Sequence, residues 1–328
     1  MSSRPGGGGV AAATPAGGTA PLVQQLAVIG CGLMGGSFAL ALRAAGRVRH
    51  VVGHSRSAAS AQRALELGVI DAVAATAAEA AAGADVVLLA VPVASTGATL
   101  LGLRDVLAAD ALCMDVGSTK ADVAAAATQT LGSRAGGFVP AHPIAGKERA
   151  GVEHADAQLY RGCRVVLTPT ALTDPSRVQR ATALWAALGA RVEIMTPQAH
   201  DDALAAVSHL PHLLAFAYFQ SVATQAEGRR LLALAGPGFR DFTRIAAGDP
   251  ALWRDVFVAN REAVLRHSIA FRAELARFET ALAAGDPAAI EALIEPPSAG
   301  RGAWQLTTAS SISPSQAEPP SGAAAPAR

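Results

Sequence analysis

An apolar run at residues 26–29 leads directly into Gly30-Cys31-Gly32-Leu33-Met34-Gly35-Gly36-Ser37, and a helical apolar pattern of Phe38, Leu40 and Leu42 follows. No other feature confines the chain as much, because it places G-x-G-x-x-G between a strand and a helix, the context in which that spacing binds a dinucleotide. Gly30 permits the tight turn, Gly32 lets a pyrophosphate approach the backbone, and Gly35 lets helix and strand pack closely. The helix N-terminus then stabilises the negative charge. Leu33 and Met34, within the same turn, are further candidate cofactor-binding residues.

The second apolar run, Val51-Val52-Gly53, ends in His54-Ser55-Arg56-Ser57. An NAD-binding chain usually carries Asp or Glu here, about 20 residues beyond the glycines, to hold the ribose 2′-hydroxyl. With no carboxylate to repel a 2′-phosphate, and with Ser55 and Arg56 available to bind one, NADP is favoured over NAD. If Arg56 is only a solvated loop residue, both cofactors remain open.

Further apolar runs at 86–91, 111–116, 138–141, 165–167 and 192–195 alternate with Ala/Leu-rich helical segments, as in right-handed βαβ units of a mainly parallel sheet. The alternation stops at Thr196-Pro197, an N-cap followed by proline at the first helical position. Beyond it the pattern is helical, with breaks near 236–238, 248–250 and 285–287. The expected fold is therefore α/β: a Rossmann-like parallel-sheet domain at 24–195 followed by an all-helical domain at 196–295. Residues 1–23 and 296–328, rich in Gly, Ala, Pro and Ser, are expected to be disordered tails.

Composition removes several function classes. With 27 basic and 26 acidic residues the formal charge is +1, and no basic cluster suits nucleic acid. No apolar stretch approaches the roughly 20 residues that cross a bilayer, and the N-terminus lacks a signal-peptide core, so no membrane association and a cytoplasmic location are expected. Three widely spaced cysteines support neither a disulfide framework nor a metal site.

Of the 27 basic residues only Lys120 and Lys147 are lysine. Both fall in polar segments at predicted strand ends, where open α/β sheets bind ligands: Asp115-Val116-Gly117-Ser118-Thr119-Lys120 and Ala141-His142-Pro143-Ile144-Ala145-Gly146-Lys147-Glu148. A third segment, Ser208-His209-Leu210-Pro211-His212, lies in a helical pattern that Pro211 should kink. A fourth begins at Gly238-Phe239-Arg240-Asp241-Phe242-Thr243-Arg244 and runs through Trp253 to Asp255. On one helix Arg240 and Arg244 would share a face and suit a dicarboxylate.

In this order the segments resemble the prephenate dehydrogenase family, with its arogenate and cyclohexadienyl variants, over about residues 26–260. The resemblance implies an N-terminal Rossmann-like domain, a helical C-terminal domain that forms a homodimer, and a site in the cleft between them. It also implies oxidative decarboxylation of prephenate to 4-hydroxyphenylpyruvate, or of arogenate to tyrosine, with hydride transfer to NAD(P)+ in tyrosine biosynthesis. By motif, His142 would take the proton of the ring 4-hydroxyl, and Ser118 would contact both His142 and the nicotinamide. Arg244 would bind a substrate carboxylate, while His209, His212, Arg240 and Trp253 would shape the substrate pocket.

Two departures stand out: His54-Ser55-Arg56 replaces an acidic strand end, and Lys147 follows H-P-I-A-G, where it could reach the side-chain carboxylate. No metal is expected, since His209 and His212 lack a third ligand at a suitable spacing. The apolar segment 213–219 is the candidate dimer interface, and no mutase or regulatory domain is expected beyond about residue 294. A β-hydroxyacid-type dehydrogenase is the rival enzyme, but it would need a catalytic lysine in the second domain, and none follows Lys147. A non-catalytic nicotinamide-binding regulator is the rival outside catalysis.

Overall fold

The computed structural model describes residues 22–147 and 149–305. Its first domain is a six-stranded sheet built from β1 (Val23–Ile29), β2 (Val48–His54), β3 (Ala72–Val73), β4 (Val86–Leu89), β5 (Leu112–Asp115) and β6 (Phe138–Val139), ordered β3-β2-β1-β4-β5-β6. Every neighbouring pair is parallel. Both faces are covered, which is why the central strands read as unbroken apolar runs rather than alternating ones. The helices α1 (Leu33–Ala44), α2 (Ala58–Glu66), α3 (Ala77–Ala81), α4 (Thr96–Leu103), α5 (Ala121–Leu131) and α6 (Pro175–Ala187) make the two outer layers.

One core holds Phe38, Tyr160 and Trp185, with ring centroids 4.8 Å apart for Phe38–Trp185 and 5.1 Å for Tyr160–Trp185, both edge to face. The opposite core packs Leu100 and Leu103 of α4 and Val123 and Leu131 of α5 against the sheet. Strand β1 extends three residues further back than the apolar run predicts, and Val23, expected to close the N-terminal tail, is fully buried as its first residue. Residues 1–21 lie outside the described residues.

The single strand expected at 138–141 is two. Pro140 has no N–H for the ladder, so the first sheet ends at Val139. Its carbonyl accepts from Thr168 N instead (2.9 Å). The chain re-enters as β7 (Ala141–Pro143) in a second sheet, β7-β8-β9, with β8 (Arg164–Leu167) antiparallel to β7 and β9 (Arg191–Ile194) parallel to β8. This change of sheet carries His142 away from the cofactor-domain ladder and opposite Val166.

The C-terminal domain is helical: α7 (Pro197–Leu204), α8 (Leu210–Ala223), α9 (Gly228–Ala233), α10 (Pro237–Thr243), α11 (Pro250–Ala259), α12 (Arg261–Ala284) and α13 (Pro287–Ala303). Thr196 caps α7 through its hydroxyl, which accepts from Ala199 N. Between α7 and α8 the helix opens into a π turn at Ala205–His209. Pro211 accounts for it, because a proline cannot donate to the preceding turn and the ladder slips there.

Two expectations need correction. Helix α10 stops at Thr243 and Arg244 opens a 3-10 turn (Arg244–Ala247), so Arg240 and Arg244 do not share one continuous helix face. The C-terminal tail does not begin at residue 296: α13 runs through Pro296 and Pro297 to Ala303. The two prolines remove donors, but the helix is largely exposed and water can satisfy the carbonyls they free, while Ile290 and Ile294 line an apolar groove with Leu282 of α12. Among the described residues, no helix is long and apolar enough to cross a membrane.

Candidate active site

The glycine turn sits where the sheet order reverses, between β1 and β4. Gly30 has φ 103°, and a Cβ there would stand 2.2 Å from the Ala90 carbonyl oxygen at the end of β4. A Cβ on Gly35 would stand 2.2 Å from the Gly30 oxygen, whereas one on Gly32 would meet nothing within 4 Å. Two glycines therefore permit the fold, and the third leaves open the space in front of the N-terminus of α1. No side chain caps that terminus and no acidic residue stands in its first turn, so its N–H groups can receive an anion. These residues fit a dinucleotide.

Leu33 and Met34, partly buried, form the first turn of α1. Ser55 Oγ accepts from Cys31 N at 2.9 Å, tying the end of β2 to the turn. Arg56 is exposed in the loop before α2, and no acidic residue stands at the end of β2.

His142 lies partly buried on β7, and its Nδ1 is 2.8 Å from His200 Nε2. His200 Nδ1 is in turn 2.7 Å from Asp201 Oδ1. A carboxylate can only accept, so the network assigns the His200 proton to Nδ1. His200 Nε2 then accepts from His142 Nδ1–H, leaving a lone pair on His142 Nε2. Burial, reinforced by His200, Lys120 and His209 nearby, holds the His142 pKa well below its ordinary value. A neutral imidazole with a free lone pair is the form a general base requires.

The residue before His142 is held from below. Asp115, at the end of β5, accepts from Ala141 N through Oδ1 (3.1 Å) and from Gly117 N through Oδ2 (2.8 Å). Lys120, fully buried, pairs with Asp115 and donates to the Ala141 carbonyl at 3.0 Å. The first of the two lysines thus fixes the sheet change that presents the histidine. Ser118 is half-buried in the same loop.

The helical domain contributes an aromatic wall. His212 stacks on Trp253 with ring centroids 3.6 Å apart, and His209 meets the same indole edge-on at 6.2 Å. Burial brings the His209 pKa down to about 4 and also lowers that of His212, where the neighbouring Arg244 acts in the same direction. Arg244 is exposed beside this wall, and Arg240 is exposed and paired with Asp241. Lys147 is paired with Asp156 at 2.9 Å and donates to the His154 carbonyl, so reaching a ligand would require that pair to open. Among the described residues no cluster suited to a metal ion occurs.

Residues 38–194 match the nucleotide-binding domain of prephenate dehydrogenase, and residues 196–295 match its dimerization domain. The chain belongs to the prephenate dehydrogenase family. The cyclohexadienyl dehydrogenase of Zymomonas mobilis is 33% identical over 265 residues, covering 80% of this chain and 90% of that protein. The prephenate dehydrogenase of Bacillus subtilis is 35% identical over 244 residues, 74% of this chain and 66% of that longer protein. Among solved structures, the Aquifex aeolicus prephenate dehydrogenase in complex with hydroxyphenyl propionate and NAD+ superposes with a TM-score of 0.80 at 34% identity, covering 85% of this chain and 97% of that one.

In this member of the prephenate dehydrogenase family, three buried polar residues of the site were not singled out from the sequence, His200, Asp201 and Asn260, and Asp115 was noted only as part of its segment. One signal was available for the first two. His200-Asp201 follows the Thr196-Pro197 cap in the first turns of α7, and the helix has too few large apolar residues to bury a face without them.

Proposed function

We propose that this chain oxidatively decarboxylates prephenate, arogenate or both, with His142 as the general base. Support comes from one observation: an unbroken hydrogen-bonded path from Asp201 through His200 to His142 leaves His142 Nε2 unprotonated. A dinucleotide with its pyrophosphate at the glycine turn would supply oxidised nicotinamide as the hydride acceptor. His142 Nε2 takes the proton of the ring 4-hydroxyl as the C4–H bond gives up its hydride, and the hydroxyl becomes a carbonyl. Breaking the bond between C1 and the ring carboxylate then releases CO2, its electron pair aromatises the ring and passes to the C4 oxygen, and that oxygen takes the proton back from His142 to become the phenol. Arg244 binds a substrate carboxylate, and the His212–Trp253 stack gives the ring a flat wall.

NADP is the preferred cofactor in this proposal, because Arg56 and the hydroxyls of Ser55 and Ser57 stand where a carboxylate would discriminate against a 2′-phosphate. The working unit is a homodimer built through the helical domain, where Leu265, Ile269 and Leu282 of α12 are each at least 59% exposed and Tyr218 and Phe219 of the expected 213–219 interface are also open.

The test is the initial rate of NADP and of NAD reduction with prephenate and with arogenate, run beside His142→Ala. Turnover with at least one substrate is expected, falling about 10²- to 10⁴-fold in the variant. A folded, cofactor-binding protein silent in all four combinations would overturn the reading.

A further inference from the structure

The path behind His142 does not end at Asp201. Oδ1 of this carboxylate accepts both from His200 Nδ1 and, at 2.8 Å, from Lys120 N, while Oδ2 accepts from Ala121 N at 2.8 Å. Those two amides open α5, whose N-cap side chain makes no capping bond of its own. A side chain of the helical domain thus caps a helix of the cofactor domain, immediately after the loop carrying Ser118. The Asp201 carbonyl accepts from Asn260 Nδ2 at 2.6 Å, and the same amide nitrogen, which has two hydrogens, lies 3.1 Å from His209 Nδ1. His200, Asp201, His209 and Asn260 are all at most 6% exposed.

We propose that Asp201 is the positioning residue of this site, acting through His200 to fix the tautomer of His142, through the α5 amides to fix the Ser118 loop, and through Asn260 to fix the ring of His209. The inference rests on His142 being the base. An ionised carboxylate out of water must be surrounded by donors, and here His200 on one side and the first two amides of α5 on the other provide them. Lys120 from the cofactor domain also neutralises the neighbourhood, where Asp115 and Asp122 are the other carboxylates and His142, His200 and His209 the titratable rings. None of the carboxylate's donors can shift without stranding a charge, so the base and the cofactor-side loop keep one register, and the main-chain carbonyl of Asp201 ties in the pocket ring through Asn260. Asp201 and His200 do no chemistry of their own in this scheme; they determine which nitrogen of His142 is free to act.

Asp201→Asn is the sharpest change. Its amide offers one acceptor where the carboxylate offers two, so either Ala121 N faces an N–H donor or His200 is driven to the opposite tautomer, which would put a proton on His142 Nε2. The expected result is a fall in kcat of about 10²-fold with KM little changed, and Asp201→Glu should recover part of it. Cofactor binding and the thermal midpoint confirm that the variant is folded.

Because a buried site can fail to fold when altered, a second measurement uses the unaltered protein. Long-range ¹H–¹⁵N correlation of the histidine rings, with His142 assigned by comparison with His142→Gln, should show the proton on Nδ1. An Nε2 proton in the unaltered protein, or unchanged kcat in a folded Asp201→Asn, overturns the inference and leaves the functional reading standing. Silence of the unaltered enzyme with every substrate, alongside an Nδ1 proton, overturns the functional reading and leaves the tautomer assignment standing.

Discussion

At the scale of single residues, much of the chemistry was visible because it stood in the wrong kind of neighbourhood. His142 precedes a proline at a strand end, and Arg244 and Trp253 interrupt an alanine-rich helical pattern. His200 and Asp201 stood out only weakly, because adjacent polar residues in the first turns of a helix read as a solvated face. Asp202, next in the chain, is such a residue, exposed and paired with Arg266. Lys120 was singled out by its rarity, yet it is used for internal support, bonded to Asp115 and Ala141 behind the base. For Arg56 the outcome is directional: Arg56→Ala should raise the KM for NADP about 10- to 100-fold, the loss expected for one charge-assisted hydrogen bond. The KM for NAD should stay nearly constant, and steady-state kinetics with each cofactor reads the difference. Equal changes for both cofactors would remove Arg56 from the cofactor site.

At the scale of elements, the glycine turn separates two roles that a motif alone merges. Gly35→Ala pushes a methyl group into the Gly30 carbonyl, so it should lower stability by about 1–3 kcal/mol or more, seen in thermal unfolding without cofactor. Gly32→Ala meets open space at φ −87°, a conformation any residue adopts, and should unfold like the parent while losing cofactor affinity by titration. If the two variants behave alike, the division of labour is wrong. Long strands and glycine-marked helix ends were legible in the sequence, since burial on both faces and chain punctuation leave strong patterns. Strand β3 is two residues long and leaves none. The break at Pro140 was legible in principle, because a proline inside an apparent strand signals an end or an edge. The continuation of α13 past Pro296 was not, because the apolar groove that Ile290 and Ile294 line is completed by Leu282 of α12, in a separate helix beyond the range of local pattern.

At the scale of the whole molecule, the site draws on both domains, and its acid behaviour follows from the rings buried there. His142, His209 and His212 have pKa values below the ordinary 6.5, to about 4 for His209. The unfolded chain therefore binds protons that the folded one refuses, and stability falls as pH drops below about 6.5 and goes on falling toward 4. Urea unfolding at pH 7.5 and pH 5 should show a lower midpoint at pH 5. His209→Gln, which retains a polar side chain and cannot titrate, should narrow the gap; an unchanged gap would mean that other groups govern it.

The joint at Asp201 has a consequence for how such a protein can change over generations. The contacts it makes on the cofactor domain are to main-chain amides, which almost every residue type carries, and only proline lacks. The surface of α5 can therefore drift, or a related cofactor domain can be grafted in its place, without rewriting that half of the joint. All the sequence information is held on one side, in the pair at 200 and 201. A chimera that keeps this pair and takes its first domain from a relative with counterparts of Asp115, Lys120 and His142 should inherit a correctly seated histidine.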